Sequence, residues 1–237
     1  MKNALAVIGL SPVLITQALY VRRVTPRLPE PSGERSGAYG SGPLLRLLIL
    51  GDSAAAGVGV LRQSEALSGQ LVRALGSNFQ VSWKLIAQTG YRASDVLAKL
   101  ETTPQEAFDV VVTSIGVNDV THGTGRQTWI ARQEKIIRLL LSKFDSPHVI
   151  LSGVPPMHLF PALPQPLRWY LGGRAKQFNH ALKESVERCS QCTFVKIDFP
   201  LETSYMADDG FHPGARAYSF WADHLAGIIR HRKDDWV

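Results

Sequence analysis

Five times along this chain a short apolar run is followed by a stretch of helical periodicity, and that alternation restricts the fold more than any other feature. The runs are residues 44–50 (LLRLLIL), 81–87 (VSWKLIA), 108–114 (FDVVVTS), 148–152 (HVILS) and 193–198 (TFVKID). Helices are expected over residues 65–75, 93–100, 127–144, 167–188 and 213–231. The third of these turns Trp129, Ile130, Ile136, Ile137, Leu140 and Leu141 to one face, and Pro213 is a start signal for the last. Strands that are apolar on both faces and joined through helices build a parallel sheet covered on both sides. The expectation is one three-layer α/β/α domain, a flavodoxin-like five-stranded parallel sheet with helices on both faces. In such a sheet polar sites gather at the C-terminal ends of the strands.

The domain does not fill the chain. Residues 1–24 open with MKNALAVIGLSPVLITQALYV, almost wholly apolar, and RRVTPR follows at once. Its length is at the short edge of a bilayer span, and Pro12 weakens a plain helix without excluding one. No small-x-small cleavage pattern closes the run, which favours an uncleaved anchor, signal-like helix or membrane-surface helix. A helix packed on the domain itself is the alternative. Arg22, Arg23 and Arg27 outweigh Lys2 and the α-amino group, a bias toward a catalytic domain on the cytoplasmic face, with a periplasmic or secreted location as the alternative. Residues 25–43 are dense in Pro, Gly and Ser and read as a flexible tether. The catalytic domain is then 44–231, and 232–237 a polar tail.

Four polar or glycine-bearing segments fall at the ends of the expected strands: GDSAAAGVG from Gly51, QTGYRASD from Gln88, SIGVNDV from Ser114 and DDGFHPG from Asp208. Ser53 sits at a strand-to-helix turn, where a hydroxyl can be a nucleophile and its own N–H an oxyanion donor, or where the residue simply caps a helix. Gly90 allows a backbone N–H to approach a substrate closely, or is a turn glycine. Asn118 offers a side-chain NH₂, for an oxyanion or for local backbone. Asp209 and His212, three apart before the last helix, can pair through Nδ1 and leave Nε2 for a serine, or be surface residues. Asp208 reads as a solvated or capping acid.

With these blocks in this order, the chain is identified as a member of the SGNH, or GDSL-type, esterase and lipase superfamily. The matching blocks are Gly51-Asp52-Ser53, Gly90, Gly116-Val117-Asn118-Asp119 and Asp209-Gly210-Phe211-His212, across about residues 47–225. The resemblance implies Ser53 as nucleophile, His212 and Asp209 as base and orienting acid, and Ser53, Gly90 and Asn118 as oxyanion donors. Ala54 stands where the family usually has Leu, a variant branch with GDSA in place of GDSL. The small residues Ala54 to Gly57 leave room near the nucleophile. Asp52, Ala54, Gly57, Phe160 and Phe211 are the candidate substrate-binding residues, and neither cofactor nor metal is implied.

The loop from Val154 to Gly172 holds five prolines together with Met157, Leu159, Phe160, Leu163, Leu167, Trp169 and Tyr170. It reads as an acyl-chain wall or lipid-touching face, or as a loop packed on the domain. His158 within it reads as structural, and His122 as a weak substrate-contact candidate. Cys189 and Cys192 are either plain turn cysteines or a disulfide, since no second pair completes a zinc site. The 26 Lys and Arg against 20 Asp and Glu are scattered without aromatic interleaving, which argues against a nucleic-acid groove. No obligate protein partner is indicated. The expected activity is hydrolysis of lipid-like or short acyl esters, including lysophospholipids, with a carbohydrate O-acetyl esterase as the alternative. A nucleotide-binding module lacks the Gly-Lys-Ser/Thr ending, and an inactive ligand-binding protein would not need the assembled triad.

Overall fold

The computed structural model describes residues 2–198 and 202–234. After a long helix, α1 (Lys2–Val24), the strands are β1 (Ser36–Tyr39), β2 (Leu44–Gly51), β3 (Gln80–Ala87), β4 (Val110–Ser114), β5 (His148–Ser152) and β6 (Cys192–Val195). They form one sheet in the order β1-β3-β2-β4-β5-β6. The last five strands are mutually parallel, as expected from the runs, and their order reverses beside β2, the switch point at which ligands bind in such sheets.

Alternate residues of β2 enter opposite layers. Leu45, Leu47 and Ile49 pack with Val110, Val112 and Ile150 against α3 (Leu67–Leu75) and α8 (Ala215–Asp234). Leu48 and Leu50 face the other way, with Val111, Val149 and Leu151, against α4 (Ala93–Thr102), α6 (Arg126–Ser142) and α7 (Leu167–Val186). A strand buried on both faces has no polar alternate positions, which is why these segments read as continuous apolar runs.

Two expectations need correction. The segment 25–43 is not a free tether, because Ser36 to Tyr39 pair antiparallel with β3, from Ser36 opposite Lys84 to Tyr39 opposite Val81. Glu30 accepts hydrogen bonds from the Thr89 N–H (2.6 Å) and hydroxyl (2.8 Å) and pairs with Arg35 (2.9 Å), which also donates to the Ala87 carbonyl. These are backbone and ionic interactions, and hydrophobic patterning does not register them. The supposed tail at 232–237 begins as helix, since α8 continues to Asp234 and Arg232 donates to the Ser190 carbonyl at 3.2 Å; residues 235–237 lie outside the described residues. Of the two readings of Cys189 and Cys192, the structure has the plain turn cysteines: both are free thiols.

Helix α1 includes Pro12 and, from Val7 to Val24, is long and apolar enough for a membrane span or a signal sequence. It also touches the domain. Leu14 is buried in the α6–α7 layer, and Gln17 donates to the Gln165 carbonyl (2.6 Å) and accepts from the Leu167 N–H (3.0 Å).

Candidate active site

The end of β2 turns directly into α2 (Ser53–Ala56), with Asp52 as its N-cap, accepting from the Ala54 N–H at 3.1 Å. Ser53 is therefore the first helical residue, where no preceding carbonyl is in reach of its N–H. The loop before α8 delivers the other two groups. Asp209 Oδ1 accepts from the N–H of Phe211 and of His212, both at 2.9 Å, which folds the loop around the carboxylate. Its Oδ2 lies 2.5 Å from His212 Nδ1, and His212 Nε2 lies 2.9 Å from Ser53 Oγ. A carboxylate only accepts, so Nδ1 carries the ring proton and Nε2 of the neutral ring accepts from the serine hydroxyl. Serine, imidazole and carboxylate are thus bonded in series, although Ser53 and His212 stand 159 residues apart in the chain.

Burial raises the Asp209 carboxyl, and the hydrogen bonds from the His212 ring and from the two N–H groups outweigh it, holding Asp209 below the usual carboxylate value. Asp52 goes the other way. It is buried with Oδ2 unpartnered, and burial, helped by the neighbouring Asp119, pushes it up to about 7 against the bond from the Ala54 N–H and the pull of His212.

Beside Ser53 a narrow cavity is walled by Val117, Pro155, Phe160, Ile197, Met206 and Trp221 among others. Asp52, Ala54 and Phe211 line it as well, as the sequence suggests, and Phe160 meets the Phe211 ring edge-on at 5.1 Å. Gly57 does not. It is buried at φ +96°, and the space a side chain would enter is filled by Ala66 and Pro31, so it serves the turn after α2 and not a ligand.

The two remaining oxyanion candidates are not among the residues that line the cavity. Gly90, at φ +88° with open space before it, ends the loop after β3, which is drawn to β2 by a bond from the Gln88 N–H to the Gly51 carbonyl (3.3 Å). Asn118 lies in α5 (Val117–Thr121) and donates one amide N–H to the Tyr91 carbonyl at 3.0 Å, leaving the second N–H unassigned. Asp119 joins the same two elements: fully buried, it accepts from the Ala93 N–H at 2.8 Å, with Arg132 3.9 Å away. Its place in the Gly-x-Asn-Asp block is visible in the sequence, but not this bracing function. His122 is exposed and its Nδ1 contacts the Asn118 carbonyl (2.8 Å), away from the cavity. Ile197, Met206 and Trp221 carry no sign in the sequence of being cavity walls; nothing local marks a core residue as facing a void. Among the described residues no three His, Cys, Asp or Glu side chains gather as a metal ion would require.

The doubly wound sheet carries a serine at the end of its first parallel strand and an acid and base in the loop before its last helix, an arrangement suited to nucleophilic catalysis at an acyl group. Residues 49–220 match the GDSL-like Lipase/Acylhydrolase family, and the chain belongs to that family. Similar solved structures include a carbohydrate esterase family 2 enzyme with a carbohydrate binding domain from Corynascus thermopiles (Myceliophthora fergusii), at 16% sequence identity, covering 86% of this chain and 67% of that one, TM-score 0.63. The psychrotrophic esterase EstA from Pseudoalteromonas sp. is similar at 18% identity, covering 80% of this chain and 98% of that one, TM-score 0.61. An M. smegmatis aryl esterase is similar at 18% identity, covering 79% and 99%, TM-score 0.60. At such identities the likeness is one of fold. The comparison with curated proteins gave no match.

Proposed function

We propose that this protein hydrolyses carboxylic esters through an acyl-enzyme on Ser53, with His212 as general base and acid and Asp209 orienting the imidazole. The observation that carries the proposal is the unbroken series Ser53 Oγ, His212, Asp209 at 2.9 and 2.5 Å beside an apolar cavity. Ser53 Oγ attacks the acyl carbon while its proton passes to His212 Nε2. The oxyanion is held by the N–H groups of Ser53 and Gly90 and by the free N–H of Asn118. As the carbon–oxygen bond to the alcohol breaks, His212 returns the proton to the leaving oxygen. Water then gives a proton to His212 and attacks the ester on Ser53, and the acid leaves with the serine hydroxyl restored.

The substrates are lipid-like or short acyl esters, because aromatic and aliphatic walls suit an acyl chain better than a sugar ring. Helix α1 brings the enzyme to a membrane surface. The O-acetyl sugar reading is less well supported by that lining, although a carbohydrate esterase shares the fold.

The test is hydrolysis of p-nitrophenyl esters of two to sixteen carbons by the full-length protein and by Ser53→Ala. Turnover that peaks at a definite chain length and vanishes in the variant is expected. Equal turnover by wild type and Ser53→Ala refutes the serine mechanism, and activity confined to acetylated sugars refutes the acyl-chain reading.

A further inference from the structure

Helix α1 meets the domain along one stripe. Val7, Leu10, Leu14 and Val21 pack on the α6–α7 layer, and Gln17 on the same side holds the Gln165 carbonyl and the Leu167 N–H. Spacings of three and four residues put these side chains on a single helical face. The opposite face carries Ile8, Ile15 and Leu19, exposed at 69, 60 and 64%. A helix resting on a protein in water turns polar residues outward, whereas this one is apolar on both sides and no residue from Val7 to Tyr20 is charged. Three of its polar side chains have partners within the protein. The Ser11 hydroxyl donates to the Val7 carbonyl (2.8 Å), Thr16 to the Pro12 carbonyl (2.9 Å), and both ends of the Gln17 amide are used by the domain.

Spanning a membrane and resting on the domain exclude each other. The docked stripe occupies about 21 Å of helix length, most of what a hydrocarbon core of about 30 Å would have to enclose. A domain seated along that stripe cannot follow it through the bilayer. We propose that α1 is a monotopic helix: it stays docked on the catalytic domain and lays its outer face, Ile8, Ile15 and Leu19, into the surface of an anionic lipid bilayer. This rests on the membrane reading given above and replaces an anchor on a leash with a fixed one. The exposed Arg22, Arg23 and Arg27 at the end of α1 match anionic headgroups, and Trp169, two residues past the Leu167 that Gln17 holds, is 43% exposed.

The docking reaches the site. The loop that Gln17 grips carries Phe160 of the cavity wall, and the Ala162 N–H donates to the Gly210 carbonyl at 3.2 Å, within the loop of Asp209 and His212. A bilayer meeting α1 therefore lies beside the cavity wall, not across a tether from it.

The test fixes α1 in place. In the full-length protein with Cys189→Ser and Cys192→Ser, the pair Gln17→Cys and Gln165→Cys is joined by a short bismaleimide, and binding to phosphatidylcholine–phosphatidylglycerol vesicles is measured by co-sedimentation. Linked and unlinked proteins are expected to bind equally, and Ile15→Glu with Leu19→Glu to lower binding at least about tenfold while helical circular dichroism is kept. If the glutamates unfold the chain, Ile15→Ser with Leu19→Ser carries the same comparison. Binding by the unlinked protein alone overturns the docked arrangement and leaves the membrane reading standing. Failure of every form to bind, with a dimer in solution that the glutamates dissociate, overturns both and assigns the outer face to a second copy. Neither result touches the ester-hydrolysis reading, which Ser53→Ala tests separately.

Discussion

Replacing Asp52 by asparagine should stabilise the protein by an amount that grows with pH. Burial of the carboxyl outweighs the Ala54 N–H and the pull of His212, and its value rises from 3.8 to about 7. Between about pH 4 and pH 7 the folded protein therefore keeps a proton on Asp52 that the unfolded chain has released, and stability from this group falls as pH rises through that window. At about 1.4 kcal/mol per pH unit the loss is at most about 4 kcal/mol. An asparagine at this position can still accept from the Ala54 N–H and never charges. His148 hides the effect in a single curve: burial, reinforced by Arg232, pushes it down to about 4 from 6.5, so its contribution grows with pH over nearly the same range. The difference between the two proteins isolates Asp52. Urea midpoints measured at half-unit steps from pH 4 to 8 should show Asp52→Asn gaining on wild type by up to that amount and levelling off above about pH 7. A constant difference across the range would refute the argument that burial keeps this acid protonated.

Two further outcomes follow from the site. Asp209→Asn places an amide where the imidazole N–H now donates and favours the wrong tautomer, so kcat should fall on the order of 10⁴-fold with KM little changed; steady-state kinetics on a short p-nitrophenyl ester checks this, and a fall confined to KM counts against it. Phe160→Ala removes the edge-on partner of Phe211 and enlarges the cavity, so the preferred acyl chain should lengthen while stability drops by about 3 kcal/mol. An unchanged chain-length profile means that Phe160 is not the wall that limits the acyl group.

The parallel sheet can be read from the sequence because its strands are buried on both faces, leaving a run such as LLRLLIL with only Arg46 to interrupt it. The positions of Ser53, Asp209 and His212 follow from the same reading, since each lies where a strand or loop meets a helix, Ser53 at the C-terminal end of β2 and the other two just before α8. Gly57 departs from its expected place at the ligand because a glycine's letter does not say which way its missing side chain would point, and here that direction is closed by Ala66 and Pro31. Trp221, on the last helix, reaches a cavity beside the first parallel strand, and its periodicity is that of any core residue. Strand β1 escapes the pattern for a different reason. Its four residues, SGAY, are all exposed and are held by backbone pairing, which leaves no hydrophobic pattern to detect.

That short strand decides where the protein can be shortened. A chain begun at Ser41 would keep every residue of the serine, imidazole and carboxylate series, and by composition would discard only linker. It would also uncover the margin of β3 from Val81 to Lys84, a row of amide and carbonyl groups free to pair with another molecule. Loss of Glu30 would leave Thr89, next to Gly90, without the carboxylate that fixes it. The expected product is a domain that aggregates edge to edge and has a loosened loop at Gly90, a poor measure of the protein from which it was cut.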